Sequence, residues 1–245
     1  MDPFSTIGLI LLVVIFFAQV IETSIGFGAT VIALSIGAQF VPLQELVVVL
    51  VLNALVQSTW LAVRGRHVIE WRVILTRLLP GVVIGFPLGI LGGIYWDESI
   101  LKMFLGGLVI FVALNELSRS FRNAAPGARS KWINGAFLAG GGFFHGLFAT
   151  AGPMVVLYAS RRLPKKGQFR ATLAVLWLML NFVMLGSFLV QGRVESSSVL
   201  QASVFLPALA GGILLGEFLH ARTPEKVFRA VVHVLLLVIG VLLFV

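Results

Sequence analysis

The sequence predicts an all-α polytopic membrane protein built from two inverted five-segment repeats, with broken or re-entrant helices near the bilayer midplane. Three observations carry this expectation. Apolar residues fill the whole length, cations gather in alternate loops, and the second half repeats landmarks of the first. Of 245 residues, 59% are hydrophobic and only 11% are charged, and the mean hydropathy is +1.04. A soluble domain carries about 25% charged residues. So few charges cannot cover a water-facing surface, whereas a bilayer accepts such a chain. The longest polar stretch, Ser118 to Lys131, is too short to fold alone. Met1-Asp2-Pro3 precedes the first apolar run without a basic region, which argues for a retained first helix rather than a cleaved signal peptide. Cysteine is absent, which excludes disulfides, thiolate metal sites and cysteine nucleophiles.

Cuts at charges, glycines and prolines leave apolar segments at 4–21, 29–41, 43–63, 74–94, 100–117, 132–144, 153–160, 171–190, 199–219 and 227–245. A helical crossing needs about 20 residues. The segments 29–41, 132–144 and 153–160 fall well short of it, and the others meet or approach it. The short ones flank two Gly-containing stretches, Glu22-Thr-Ser-Ile-Gly-Phe-Gly28 and His145-Gly-Leu-Phe-Ala-Thr-Ala-Gly152. Each stretch reads as a helix break at membrane depth, tolerated only where protein or a water-filled cavity satisfies the backbone.

When the segments alternate across a membrane, all 18 lysines and arginines except Lys102 and Arg193 fall on one side. The positive-inside rule makes that side cytoplasmic, places both termini outside and suits a cell inner membrane. Ten crossings, or six crossings plus two hairpins, give the same assignment. The net charge of +8 is thus a topological signal, and no nucleic-acid partner is needed. Reporter fusions should find residues near Pro126 and Pro164 in the cytoplasm and both termini outside. A reproducibly cytoplasmic terminus would overturn the repeat count.

Leu79-Pro80, Gly85, Leu88 and Gly89 recur 127 residues later as Leu206-Pro207, Gly212, Leu215 and Gly216, and Gly65 maps to Gly192. Gly28 maps to Gly152 at an offset of 124, and Asn53 to Asn181 at 128. Each half therefore holds five segments in the same order. Five is odd, so the second half enters from the opposite face, a plan that recurs in secondary transporters. The expected division is a first repeat at 1–117, a basic cytoplasmic linker at 118–131 and an inverted second repeat at 132–245.

Gly81, Gly85, Gly89 and Gly93 lie four apart on one helix face, answered in the second half by Ala208, Gly212 and Gly216. Small residues at this spacing let helix backbones approach closely, so packing is the expected role. A homodimer face through Gly81, Gly85 and Gly89 is the alternative. The breaks are the candidate site. Helices starting near Ala29 and Pro153 would expose backbone N–H groups and positive dipole ends, which bind anions without lysine or arginine nearby. Gly26, Gly28, Ala149 and Gly152 would supply the backbone, and Ser24 and Thr150 the hydroxyls. In an inverted repeat such tips meet near the centre. The plain alternative is that the glycines serve packing alone.

Glu22 and His145 sit at corresponding edges of the breaks. Ionisable groups at membrane depth are costly and usually functional, so both are candidates to carry a coupling proton. At a membrane interface they would merely be solvated. Asn53 and Asn181 line the path or hydrogen-bond across helices, with Gln19, Gln57 and Glu217 of the same kind. Arg77 is expected to snorkel to the inner face. Trp60, Trp71, Trp96 and Trp132 fall near helix ends as interfacial anchors do. No hydrolase, zinc-protease or phosphate-loop motif occurs, and His67, His145, His220 and His233 lack ligand spacing. No enzyme activity, cofactor or metal is expected.

With these residues in place, the chain resembles the TauE/SafE sulfite-exporter family of membrane permeases over nearly its whole length. The resemblance rests on the duplicated architecture, the basic central loop, and Gly-Ala-Phe-Leu-Ala-Gly at 135–140 running into Gly146-Leu147 and Gly152-Pro153. Where the family shows Gly-Gly-Gly at each break, this chain reads Gly26-Phe-Gly28 and Ala149-Thr-Ala-Gly152. The resemblance implies transport, often outward, of small sulfur anions such as sulfite or organosulfonates. Composition and spacing alone reach a small anionic substrate. An anion channel, a transporter of another small carboxylate or inorganic anion, and a membrane scaffold or assembly factor are the alternatives.

Overall fold

A computed structural model describes residues 5–101, 103–104, 106–107, 130–150, 152–224 and 226–228, and its regular structure there is all helical. The linker at 118–129, segment 100–117 beyond residue 107 and segment 227–245 beyond residue 228 lie outside the described residues.

Helix α1, Thr6–Ile25, opens where the Ser5 hydroxyl accepts the Gly8 N–H at 3.0 Å. It closes on Gly26, whose left-handed backbone (φ 104°) is open to glycine without cost. The helix thus outruns the apolar segment 4–21, taking Glu22, Thr23 and Ser24 inside it. Helix α2, Ala29–Gly37, has 9 residues, and α3, Leu43–Arg64, has 22. Helix α4, Trp71–Tyr95, contains a π-helical stretch at Ile74–Leu78 just before Leu79-Pro80. Helix α5 covers Lys131–Phe148 and α6 covers Gly152–Arg162. Helix α7, Lys166–Val190, is followed by α8, Ser196–Val204, and α9, Leu206–Arg222.

Three expectations change. Segment 132–144 is not short, because α5 runs 18 residues through Gly140–Gly142 and His145. Those glycines are packing positions, so the second break begins only at Ala149, after α5 ends at Phe148. Segment 171–190 begins earlier, at Lys166, which carries Arg170 into the helix. Segment 199–219 is two helices bent by 43° at Phe205. That bend and the π stretch of α4 both stand immediately before a Leu-Pro pair. Proline has no N–H for the carbonyl four residues back, and the helix yields there in both halves. Among the described residues four helices are long and apolar enough to cross a membrane, or five if the bent pair α8–α9 is one span.

The chain divides into two compact units, Met1–Trp71 with Gly167–Thr223, and Arg72–Lys166 with Pro224–Val245. In the first, α9 lies along α1. A Cβ at Gly212 would stand 2.7 Å from the Gln19 Cβ, and one at Gly216 2.5 Å from the Thr23 Cβ. In the second, α4 lies along α5. A Cβ at Gly85 would strike the Ala139 carbonyl, and one at Gly142 the Val82 carbonyl. Lipid offers no hydrophobic drive for helix association, so close backbone contact has to supply the attraction. The glycine ladder serves packing as expected, and the face offered as a dimer surface is covered by α5 of the same chain.

Candidate functional site

The first break, Gly26-Phe27-Gly28, lies within the first unit, and its exposed backbone is satisfied from both sides. Three α1 carbonyls meet side chains from the second half of the chain. Arg170 Nη1 donates to Thr23 O at 2.9 Å, Trp177 Nε1 donates to Gly26 O at 2.9 Å, and His220 Nδ1 lies 2.7 Å from Ser24 O. A carbonyl only accepts, so that histidine nitrogen carries the proton. Arg170 also pairs with Glu217 at 2.8 Å. Beyond the break, Glu22 Oε2 accepts the Ala29 N–H at 2.8 Å and caps α2. A cation thus stands at the negative end of α1 and an anion at the positive end of α2, each complementing a helix dipole.

This corrects two expectations. A buried arginine does lie at the break, and the α2 N-terminus already holds a carboxylate. The Ser24 hydroxyl is turned to the carbonyls of Val20 (2.6 Å) and Gly216 (3.2 Å). Gly26 has its Cα face against Arg170, where a Cβ would come within 3.1 Å of the Arg170 Cα. Gly28 holds φ 111°, so any side chain there is strained whatever it binds.

The second break lies within the second unit. Ala149 caps α5 in the left-handed region (φ 53°, ψ 32°) and donates its N–H to His145 O at 2.7 Å. A residue with a Cβ pays about 1–2 kcal/mol for that conformation. Gly26 donates in the same way to Glu22 O at 2.6 Å. Gly26 to Ala149, Glu22 to His145 and Ala29 to Gly152 are all 123 apart, so the caps set a register one residue from the offset of 124 read off the glycines. His145 is 1% exposed and its ring stands 5.6 Å from that of Phe86. Thr150 is buried, and Gly152 opens α6, whose first turn has no acidic residue. The first turn of α2 has no acidic residue either, and Glu22 reaches it from α1; among the described hydrogen bonds no carboxylate reaches the start of α6 in that way.

Asn53 on α3 and Asn181 on α7 lie in the first unit, 1% and 2% exposed. Both amide atoms of Asn53 and the Asn181 Oδ1 find no partner among the described residues, nor do the Oε1 atoms of Gln19 and Gln57. The Gln57 Nε2, by contrast, donates to Thr23 Oγ1 at 2.8 Å and Gln19 O at 3.3 Å. Orphaned amides inside a membrane protein cost about 1–3 kcal/mol each, a cost borne where water or a solute enters.

Arg170, Trp177 and His220 escaped the sequence reading. Arg170 looked like the last residue of a basic loop because the start of α7 has no side-chain signal ahead of it. Trp177 did leave a trace, since it is the one tryptophan away from a helix end.

A helix interruption closed by buried charges, in a chain whose described residues are all helical and include several membrane-length helices, fits a polytopic membrane transporter. The family model for the sulfite exporter TauE/SafE matches residues 11–243, and the chain belongs to that family. It is similar to the "Probable inner membrane transporter protein TsaS" of Comamonas testosteroni, 28% identical over 175 residues, covering 70% of this chain and 71% of that one. It is also similar to the "Probable sulfite/organosulfonate exporter TauE" of Cupriavidus necator, 24% identical over 205 residues, covering 80% and 76%. No solved structure matches it. Members of this family are exporters, and the chain is a membrane transporter, not an enzyme.

Proposed function

We propose that this protein is a secondary transporter that exports small sulfur-containing oxyanions, sulfite or organosulfonates, across the inner membrane. The observation that carries the reading is the difference between the breaks. Glu22 of α1 caps the N-terminus of α2, whereas among the described hydrogen bonds no carboxylate caps α6, which starts behind a strained Ala149 and a buried Thr150. Strain of that kind persists where surrounding structure enforces it and clusters at ligand clamps. The anion seat is therefore assigned to Ala149, Thr150 and Gly152 of the second unit, and Asn53 and Asn181 of the first unit are the alternative seat. His145, in the place Glu22 takes in the other half, is assigned the coupling proton. The inverted repeat is supported by the matched cap bonds, the matched Leu-Pro interruptions and the two glycine-packed pairs.

Proteoliposomes test this across sulfite, sulfonates, sulfate and carboxylates. A transporter gives saturable flux with counter-flow, a channel gives current without counter-flow, and a scaffold gives neither. Thr150→Ala should weaken the anion by about 1–3 kcal/mol, the cost of a lost buried hydrogen bond. His145→Gln should leave binding intact and flatten the pH dependence of flux. Unchanged affinity in a well-expressed Thr150→Ala, Gly152→Val variant would move the site to Asn53 and Asn181. Gly28→Val is no test, because its backbone strain acts with or without an anion.

A further inference from the structure

The π stretch of α4 brings Arg72 and Arg77 toward one side, where Arg162 of α6 joins them, and the transport cycle above leaves all three cations unused. Arg72, Thr76 and Arg77 of α4, with Val73 and with Arg162 at the end of α6, border a cavity of about 430 Å³. In a regular α-helix, residues five apart point about 140° away from one another. Here the Leu79 N–H reaches back five residues to Ile74 O, and this wider turn brings Arg77 toward the side of Arg72. Pro80 drives the widening, because it has no N–H for the Thr76 carbonyl.

Among the described residues no carboxylate lines the cavity, and none of the three guanidinium groups is paired. The Thr76 hydroxyl is spent on Arg72 O at 2.6 Å, so the arginine forks are the donors that remain. Sorting of charge across a membrane asks only that cations lie in the loops. It does not ask them to converge on one cavity. That volume falls within the range of small-molecule sites, about 300–1,000 Å³. Planar guanidinium forks match oxyanions bidentately, which an ammonium cannot do.

The geometry points to an oxyanion site bordered by Arg72, Arg77 and Arg162, taking a sulfite, a sulfonate or a phosphate headgroup. It rests on the transport reading only for the choice of sulfite as probe. The test is the triple variant R72K/R77K/R162K, which keeps every charge and hence the topology but removes the forks. Arg162→Lys alone, at an exposed helix end, guards against misfolding. Sulfite and methanesulfonate binding is measured in neutral phosphatidylcholine nanodiscs, and flux in matching liposomes. Retention of phosphatidylglycerol by the purified protein is measured alongside.

For a free oxyanion, the triple variant should raise KM and the dissociation constant about tenfold, with kcat within about twofold. A comparable loss of phosphatidylglycerol retention, with sulfite binding unchanged, assigns the same chemistry to a lipid headgroup. No change in either arm overturns the site and leaves the arginines as topology signals. Normal sulfite counter-flow in an unaffected triple variant sinks this site alone. Arginine-dependent sulfite binding without flux in the wild type sinks the transport reading and keeps the site.

Discussion

Arg170→Met should be among the most destabilising single changes in this protein. It leaves the half-buried Glu217 without its cation and the buried Thr23 O without its donor. Removing one partner of a fully buried ion pair costs about 3–5 kcal/mol, and the partial exposure of Glu217 places this pair toward the lower end of that range. Thermal unfolding in detergent should therefore fall well below wild type, and the first break should become open to proteolysis. Arg170→Met combined with Glu217→Leu should recover much of the loss, since an apolar pair of similar volume is often neutral in such a position. If the single variant melts like wild type, the pair does not hold the break. If the double variant is worse than the single, Glu217 has another essential partner.

The second large effect is expected at the helix contact of the other unit. Gly85→Ala and Gly142→Ala each place a methyl group against a backbone carbonyl of the facing helix, Ala139 O and Val82 O respectively. A flexible side chain could turn aside, but a helix backbone cannot. The helices must separate, and contact that depends on closeness is lost along the whole α4–α5 face. Overpacking a core costs about 1–3 kcal/mol, and two backbones in collision should reach the top of that range or beyond. Yield of monodisperse protein and melting temperature both report it. Gly135→Ala is the control, since nothing stands within 4 Å of a Cβ there. It should be neutral or stabilising by up to about 1 kcal/mol through helix propensity. Equal behaviour of Gly85→Ala and Gly135→Ala would show that α4 and α5 are not held by close backbone approach.

Membrane class, the positions of most long helices, the two breaks and the packing role of the glycines were all legible in the chain. Each depends on composition or on spacing along one segment, and neither needs a partner to be visible. Gly26 and Gly28 announced the first break because only glycine takes their backbone angles cheaply. The second break was placed too early, at His145, because glycine in a helix facing another backbone looks the same as glycine at a helix end. Pairing the breaks by their glycines likewise missed by one residue, since Ala149 stands in the left-handed position that Gly26 fills in the first half.

What fills the breaks was decided by tertiary structure alone. Arg170 meets Thr23 across 147 residues of chain, and Trp177 meets Gly26 across 151. A short-range pattern cannot carry information about contacts that distant. The same holds for the three arginines of the basic cavity, two of which a π turn in α4 draws toward one side and the third of which arrives from α6. By itself, the sequence determined the solvent in which this protein folds and the places where its helices break. Its folding decided which break is closed by its own carboxylate, because the free energy of a charge in a membrane depends on the partners that the fold brings to it.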